Sequence, residues 1–280
     1  MSDTIYIPPN CQRLSDTIQS PQIRLAIQGF GGTGKTHSAL TFPNPIVLNL
    51  DRGLGAHAGR EDVIEVPFYN GKFCKNQSEI KDKLLQWMET EAKKLTAEQT
   101  LVIDSNTQVQ NAYHAWYNDN RMNFVTDKGK EDGFAEWKIK KQYFGELLES
   151  LKGLQCNVIY ICHETEASIG KHSGKLRPLL TGQFCDELLT YFTDFVRQQV
   201  TDKPKDGSVI EPEALRQWNM TREQFKDVCS EYPRGSIYYW QLESDSIFDG
   251  KCSSLVNYPR FIPANFEYFN KYRRQISTKV

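Results

Sequence analysis

Ile23-Arg24-Leu25-Ala26-Ile27-Gln28 runs directly into Gly29-Phe30-Gly31-Gly32-Thr33-Gly34-Lys35-Thr36, and a helical start, Lys35 to Leu40, follows. The first segment alternates and is rich in branched residues, the pattern of a strand. The second has the spacing G-x-x-x-x-G-K-T. Between a strand and a helix, glycines at that spacing let backbone N–H groups turn inward around phosphate oxygens, and the helix adds the positive end of its dipole. The stretch therefore predicts strand, phosphate-binding loop (P-loop) and helix. Gly29, Gly31, Gly32, Thr33 and Gly34 are the expected cradle. Lys35 is expected as an exposed ligand of the β- and γ-phosphates and Thr36 as a magnesium ligand, with ATP and Mg2+ as the bound species.

Downstream, Ile46 to Leu50 reads as a second short strand ending in Asp51, and Ile80, Leu84, Leu85, Met88, Ala92 and Leu95 recur at helical spacing. Thr100 to Ile103 is a third strand closed by Asp104-Ser105, which supplies a carboxylate for the magnesium, through a water. Phe134, Trp137, Tyr143, Phe144, Leu147, Leu148 and Leu151 mark a long amphipathic helix stopped by Gly153. Val158 to Cys162 and Phe195 to Val200 are the fourth and fifth strands. Strands alternating with helices imply an α/β fold with a mostly parallel sheet and right-handed crossovers.

The ends differ in character. Residues 1–21 carry two prolines and read as an N-terminal arm, 22–201 as the core, and 202–235, opening on Asp202 to Gly207, as a small insertion. In the closing segment 236–280, Ser236 to Glu243 and a turn at Asp249-Gly250 predict a β-hairpin, followed by a tail with a short polar helix.

A chain of 280 residues suits one core. A net charge of -1 gives no global attraction to nucleic acid, so any such contact must come from local basic loops. Seven scattered cysteines without a C-x-x-C pair predict reduced thiols rather than zinc or disulfides. With no apolar run of signal-peptide or membrane length, the expectation is a cytoplasmic protein without membrane contact.

The order of these elements resembles RecA-type ATPases and, more closely, the phage nucleotide-binding proteins of the Sak-four type, reduced RecA cores similar to single-strand annealing proteins. The resemblance covers residues 22–200 and part of the closing hairpin. It implies a RecA-like P-loop NTPase fold in a phage-type recombination protein, working in the bacterial host cytoplasm. Asp51 then stands where the family carries a longer Glu that polarises the attacking water. His163, in Cys162-His163-Glu164, stands where a polar residue senses the γ-phosphate. The two loops after the Asp104 and His163 strands would line a DNA path, the first through Arg121, Phe124 and Lys128, the second through Lys171, Lys175 and Arg177. Lys251, in Lys251-Cys252-Ser253, matches the lysine of a K-x-R pair that reaches the ATP of the next subunit, with Ser253 replacing the arginine.

The function so implied is Mg-dependent, DNA-stimulated ATP hydrolysis on single-stranded DNA, coupled to strand annealing or exchange in a filament or ring of identical subunits, with a single-strand-binding protein as a further partner. The alternatives are a P-loop kinase of a small acceptor, and a ring motor or assembly scaffold without annealing activity, since one core serves all of these.

Overall fold

The computed structural model describes residues 22–69, 73–125, 133–166, 174–180, 184–202, 221 and 236–273. The expected N-terminal arm and nearly all of the 202–235 insertion lie outside the described residues.

In chain order the main elements are β1 (Arg24–Gly29), α1 (Lys35–Ala39), β2 (Pro45–Asn49), β3 (Ile64–Pro67), α2 (Ser78–Thr90), β4 (Thr100–Asp104), α3 (Asn106–Asn120), α4 (Gly133–Lys152) and β5 (Asn157–Glu166). They continue as β6 (Leu176–Pro178), α5 (Phe184–Tyr191), β7 (Asp194–Asp202), β8 (Ser236–Gln241), β9 (Lys251–Cys252), β10 (Phe261–Pro263) and α6 (Phe266–Tyr272). The main path of the sheet is β10-β8-β7-β1-β5-β4-β2-β3. β7, β1, β5, β4, β2 and β3 pair in parallel, while β8 and β10 close one edge antiparallel. This is the mostly parallel α/β architecture that the strand-helix alternation predicts.

Period-two alternation sorts the core. Ala26, Leu101, Ile103, Val158 and Tyr160 face one layer with Tyr113, Phe144 and Leu147 from α3 and α4. Leu25, Ile27, Val102, Ile159 and Ile161 face the other, with Ala39 of α1 and with Phe42, Trp240 and Phe269. With helices on both faces these strands are buried throughout and read as continuous apolar runs. Each such side chain taken wholly from water contributes roughly 1.5–3 kcal/mol. Among the described residues no helix is long and apolar enough to cross a membrane.

Three features depart from the sequence reading. α3 was not foreseen; its buried face is built from Val109, Gln110, Ala112 and Tyr113 and shows little apolar periodicity. β3 is an edge strand with two of its four residues exposed. The closing segment does complete the sheet, but β8 and β9 pair with β7 rather than with each other: β8 along Arg197 to Asp202, β9 at Asp194 and Phe195. Turn chemistry at Asp249-Gly250 is local, whereas the pairing is decided by the edge that β7 offers.

Candidate active site

Parallel strands place their carboxyl ends on one rim, where ligands of open α/β sheets bind. β1 ends in Gly29 on that rim. The next residues turn through Gly32 and Gly34, whose φ values of 78° and 80° lie in the left-handed region that glycine enters without strain. Gly34 is constrained twice, because a Cβ there would stand 2.8 Å from the ring of Tyr238. α1 then begins at Lys35.

Lys35 is buried, not exposed as expected: it is 5% accessible, and its Nζ donates to the carbonyls of Gly29 (2.9 Å) and Phe30 (2.7 Å). Burial pushes its pKa down, and the negative charge of Asp104 partly restores it. The amine thus sits inside the loop whose phosphates it is expected to bind.

β5 lies between β1 and β4, so the strand carrying His163 separates the phosphate-loop strand from the Asp104 strand. Asp104 ends β4 on the same face as Val102, the face that α1 covers. Its Oδ2 accepts a hydrogen bond from Thr36 Oγ1 at 2.6 Å, and the Asp104–Ser105 peptide is cis. Burial raises the pKa of Asp104 from 3.8 to about 6 in spite of that hydrogen bond, and the charge of Asp51 adds to the rise. A buried carboxylate beside a hydroxyl, without an ion-pair contact among the described residues, suits a divalent cation.

Asp51 follows β2 on the same rim. Its Oδ2 lies 3.0 Å from His163 Nε2, and its Oδ1 is buried without a hydrogen-bond partner. Burial opposes the Asp51 carboxylate, but hydrogen bonding to His163 outweighs it and holds the pKa below the ordinary value. Residues 36, 51, 104 and 163 therefore form two contacting pairs at one rim.

The fit to magnesium and ATP follows from these observations. Among the described residues no three His, Cys, Asp or Glu side chains gather into a cage. Magnesium in nucleotide sites is commonly held by one or two protein oxygens together with phosphates and waters. Thr36 Oγ1 and Asp104 Oδ2, 2.6 Å apart, are the residues that would hold it, and bound magnesium would supply neutralisation of charge on the phosphates. His37 stacks on His57 with ring centroids 5.8 Å apart and lies 5.9 Å from the ring of Tyr238, an aromatic group next to the loop that the sequence reading did not single out.

The buried pair Glu164–Arg197 also went unread. Glu164 Oε2 accepts from Arg197 Nε and Oε1 from Arg197 Nη2, both at 3.1 Å, and Gln28 Nε2 donates to Oε2 at 3.0 Å. The Glu164 side chain has no exposure, and two charges 33 residues apart in the sequence give no local signal of pairing.

The remaining expected residues lie elsewhere. α3 intervenes between Asp104 and the first basic loop, and its 15 residues carry Arg121 and Phe124 roughly 22 Å along the helix axis. Arg121 is exposed there, while Phe124 stacks on Tyr117 at 5.5 Å. Lys128 and Lys171 lie outside the described residues. Lys175 pairs with Asp249 (2.5 Å), and Arg177 stands on β6 opposite Thr165 of β5. Lys251 pairs in register with Phe195, which faces Ala26 near the amino end of β1, away from its own chain's phosphate loop.

A family model described as an AAA domain, AAA_24, matches residues 21–225, more than half of the chain. No curated protein matches it.

Proposed function

The chain belongs to the AAA_24 family of AAA domains, a P-loop nucleotide-binding family, and from that premise we propose that it hydrolyses Mg-ATP on single-stranded DNA, as an oligomer that anneals or exchanges strands. The observation that carries the hydrolytic part is the Asp51–His163 contact of 3.0 Å on the rim where Thr36 meets Asp104. In this reading Lys35 exchanges a loop carbonyl for a phosphate oxygen. Asp51 accepts the proton of the attacking water, and His163, sharing Asp51 Oδ2, registers the γ-phosphate.

For coupling to DNA the supporting feature is β5. Its first part belongs to the main sheet, and its last residues, Glu164 to Glu166, pair antiparallel with β6, which carries Arg177. A phosphate backbone drawn to Arg177 would act on the strand that carries His163. The resemblance to Sak-four type proteins supports the strand-annealing role and a phage origin.

One observation favours the kinase alternative. Beside Asp51 lies a polar cavity of about 280 Å³ lined by Arg52, Lys75, Gln77 and Gln108, where a small acceptor would fit. Phosphate release by the purified protein, with and without single-stranded DNA, separates the readings. Hydrolysis is expected to rise severalfold with DNA, and Asp51→Asn to keep nucleotide binding while turnover drops about a hundredfold. Label from the γ-phosphate appearing on an added small acceptor would establish the kinase instead. Turnover unaffected by DNA or by Asp51→Asn would remove this reading.

A further inference from the structure

At the end of the sheet away from the phosphate loop lies a second cavity, of about 340 Å³, with three cationic side chains in its wall: Arg24, Lys152 and Lys251. Arg24 opens β1 and Gly29 closes it, so this cavity and the nucleotide site are separated by the length of the strand, roughly 17 Å at ~3.3 Å per residue.

The charges in the wall are poorly balanced. Arg24 is 7% exposed, and its guanidinium donates to the carbonyls of Ile23, Cys156 and Leu154. Lys251 Nζ donates to the carbonyls of Leu189 (3.0 Å) and Phe192 (2.7 Å). Neither cation has a carboxylate within ion-pair distance among the described residues. Lys152 has one, Glu149 at 2.8 Å, and it also lies 4.3 Å over the ring of Tyr191. The buried Asp194 is engaged by Ser254, through its N and Oγ; the charge of Lys251 also acts on it, without an ion-pair contact between the two. Carbonyl oxygens satisfy hydrogen bonds but do not cancel a net charge, and an unneutralised ion taken out of water costs several kcal/mol. Capping the carbonyl end of α5 accounts for Lys251; it does not account for Arg24 or Lys152.

We propose that this cavity is a second anion site, which binds a phosphate group. The chemistry favours phosphate over carboxylate. Arg24 spends most of its fork on carbonyls and acts as a point charge rather than as the bidentate partner that a carboxylate prefers. Three cations set around one space, with the hydroxyls of Thr190, Thr193 and Ser253 also in the wall, match a doubly charged group with several terminal oxygens. The phosphate belongs either to a free phosphate ester or to a nucleic-acid backbone.

The test uses the full chain carrying Lys35→Ala, so that the phosphate loop does not compete, with inorganic phosphate titrated calorimetrically. Saturable binding is expected, weakened about tenfold by Lys152→Gln and by Lys251→Gln and restored by Lys152→Arg. Lys152 lies half-exposed on α4, so its replacement tests the site without disturbing the core. A second arm titrates a short thymidine oligonucleotide. Loss of both phosphate and oligonucleotide affinity in the glutamine variants assigns the site to a backbone phosphodiester; loss of phosphate affinity alone assigns it to a free phosphate ester. Absence of saturable phosphate binding in the Lys35→Ala protein, or binding unchanged by both glutamine variants, overturns the proposal.

Discussion

Replacing Asp104 by asparagine removes a negative charge from a position that is 3% exposed while keeping the shape of the side chain and an acceptor for Thr36. The cost of that charge in the ligand-free protein follows from its titration. Folding moves the pKa from 3.8 to about 6, and each unit corresponds to about 1.4 kcal/mol, so the ionised group holds back about 3 kcal/mol of stability above pH 6. The sign follows from proton uptake: between pH 4 and 6 the native state binds this proton more tightly than the unfolded chain, so stability falls as pH rises through that window. The favourable charge of Lys35 is already contained in that shift; the amide N–H groups that asparagine would bury at this position return part of the gain. Asp104→Asn is therefore expected to be about 1–2 kcal/mol more stable than the parent at pH 8 and to lose that advantage near pH 4. Urea unfolding at both pH values, without nucleotide and with the m-value checked for constancy, measures this. The same variant should gain much less stability from magnesium and ATP than the parent does. A variant no more stable than the parent at pH 8, or an advantage independent of pH, would refute the reasoning.

Lys35→Ala should weaken ATP binding at least about thirtyfold and abolish hydrolysis, because a charged donor to the phosphates is lost; near-normal phosphate release would sink the nucleotide site. Gly34→Ala should cost about 1–3 kcal/mol in thermal or urea unfolding, since it forces a Cβ against Tyr238 at a φ of 80°, and an unchanged midpoint would mean that the loop is not held as described. Arg197→Met should cost about 3–5 kcal/mol, because Glu164 would be left buried without its cationic partner; removing both partners, as Glu164→Gln with Arg197→Met, should cost less than the single change.

The rim was legible where residue type and strand position coincide. The phosphate loop announces its own backbone through glycine spacing, and Asp51, Asp104 and His163 each follow a short apolar run whose end can be read. Burial was harder to read. Lys35 was expected at the surface, yet two loop carbonyls satisfy its amine inside the protein. Glu164 and Arg197 look like ordinary surface charges until β1 brings their strands together, a pairing with no local signature. α3 escaped because Tyr113, Gln110 and Asn106 bury polar atoms along with their carbon, so its inner face does not look apolar. β3 escaped because its first two residues, Ile64 and Glu65, are both exposed, which leaves no apolar run to read.

His163 and Glu164 are neighbours on β5, and neighbours on a strand project to opposite faces. One holds Asp51 on the flank of β2; the other is clamped by Arg197 and Gln28 on the flank of β7 and β1. The strand resembles a shaft keyed on both sides. Turning it about its own axis to swing the histidine would unseat the ion pair behind it, at about 3–5 kcal/mol, which holds such a rotated state below about one molecule in a hundred. Any signal that moves His163 must therefore turn its side chain about its own bonds or carry the whole strand along, and the imidazole is left with few intermediate positions between engaged and released.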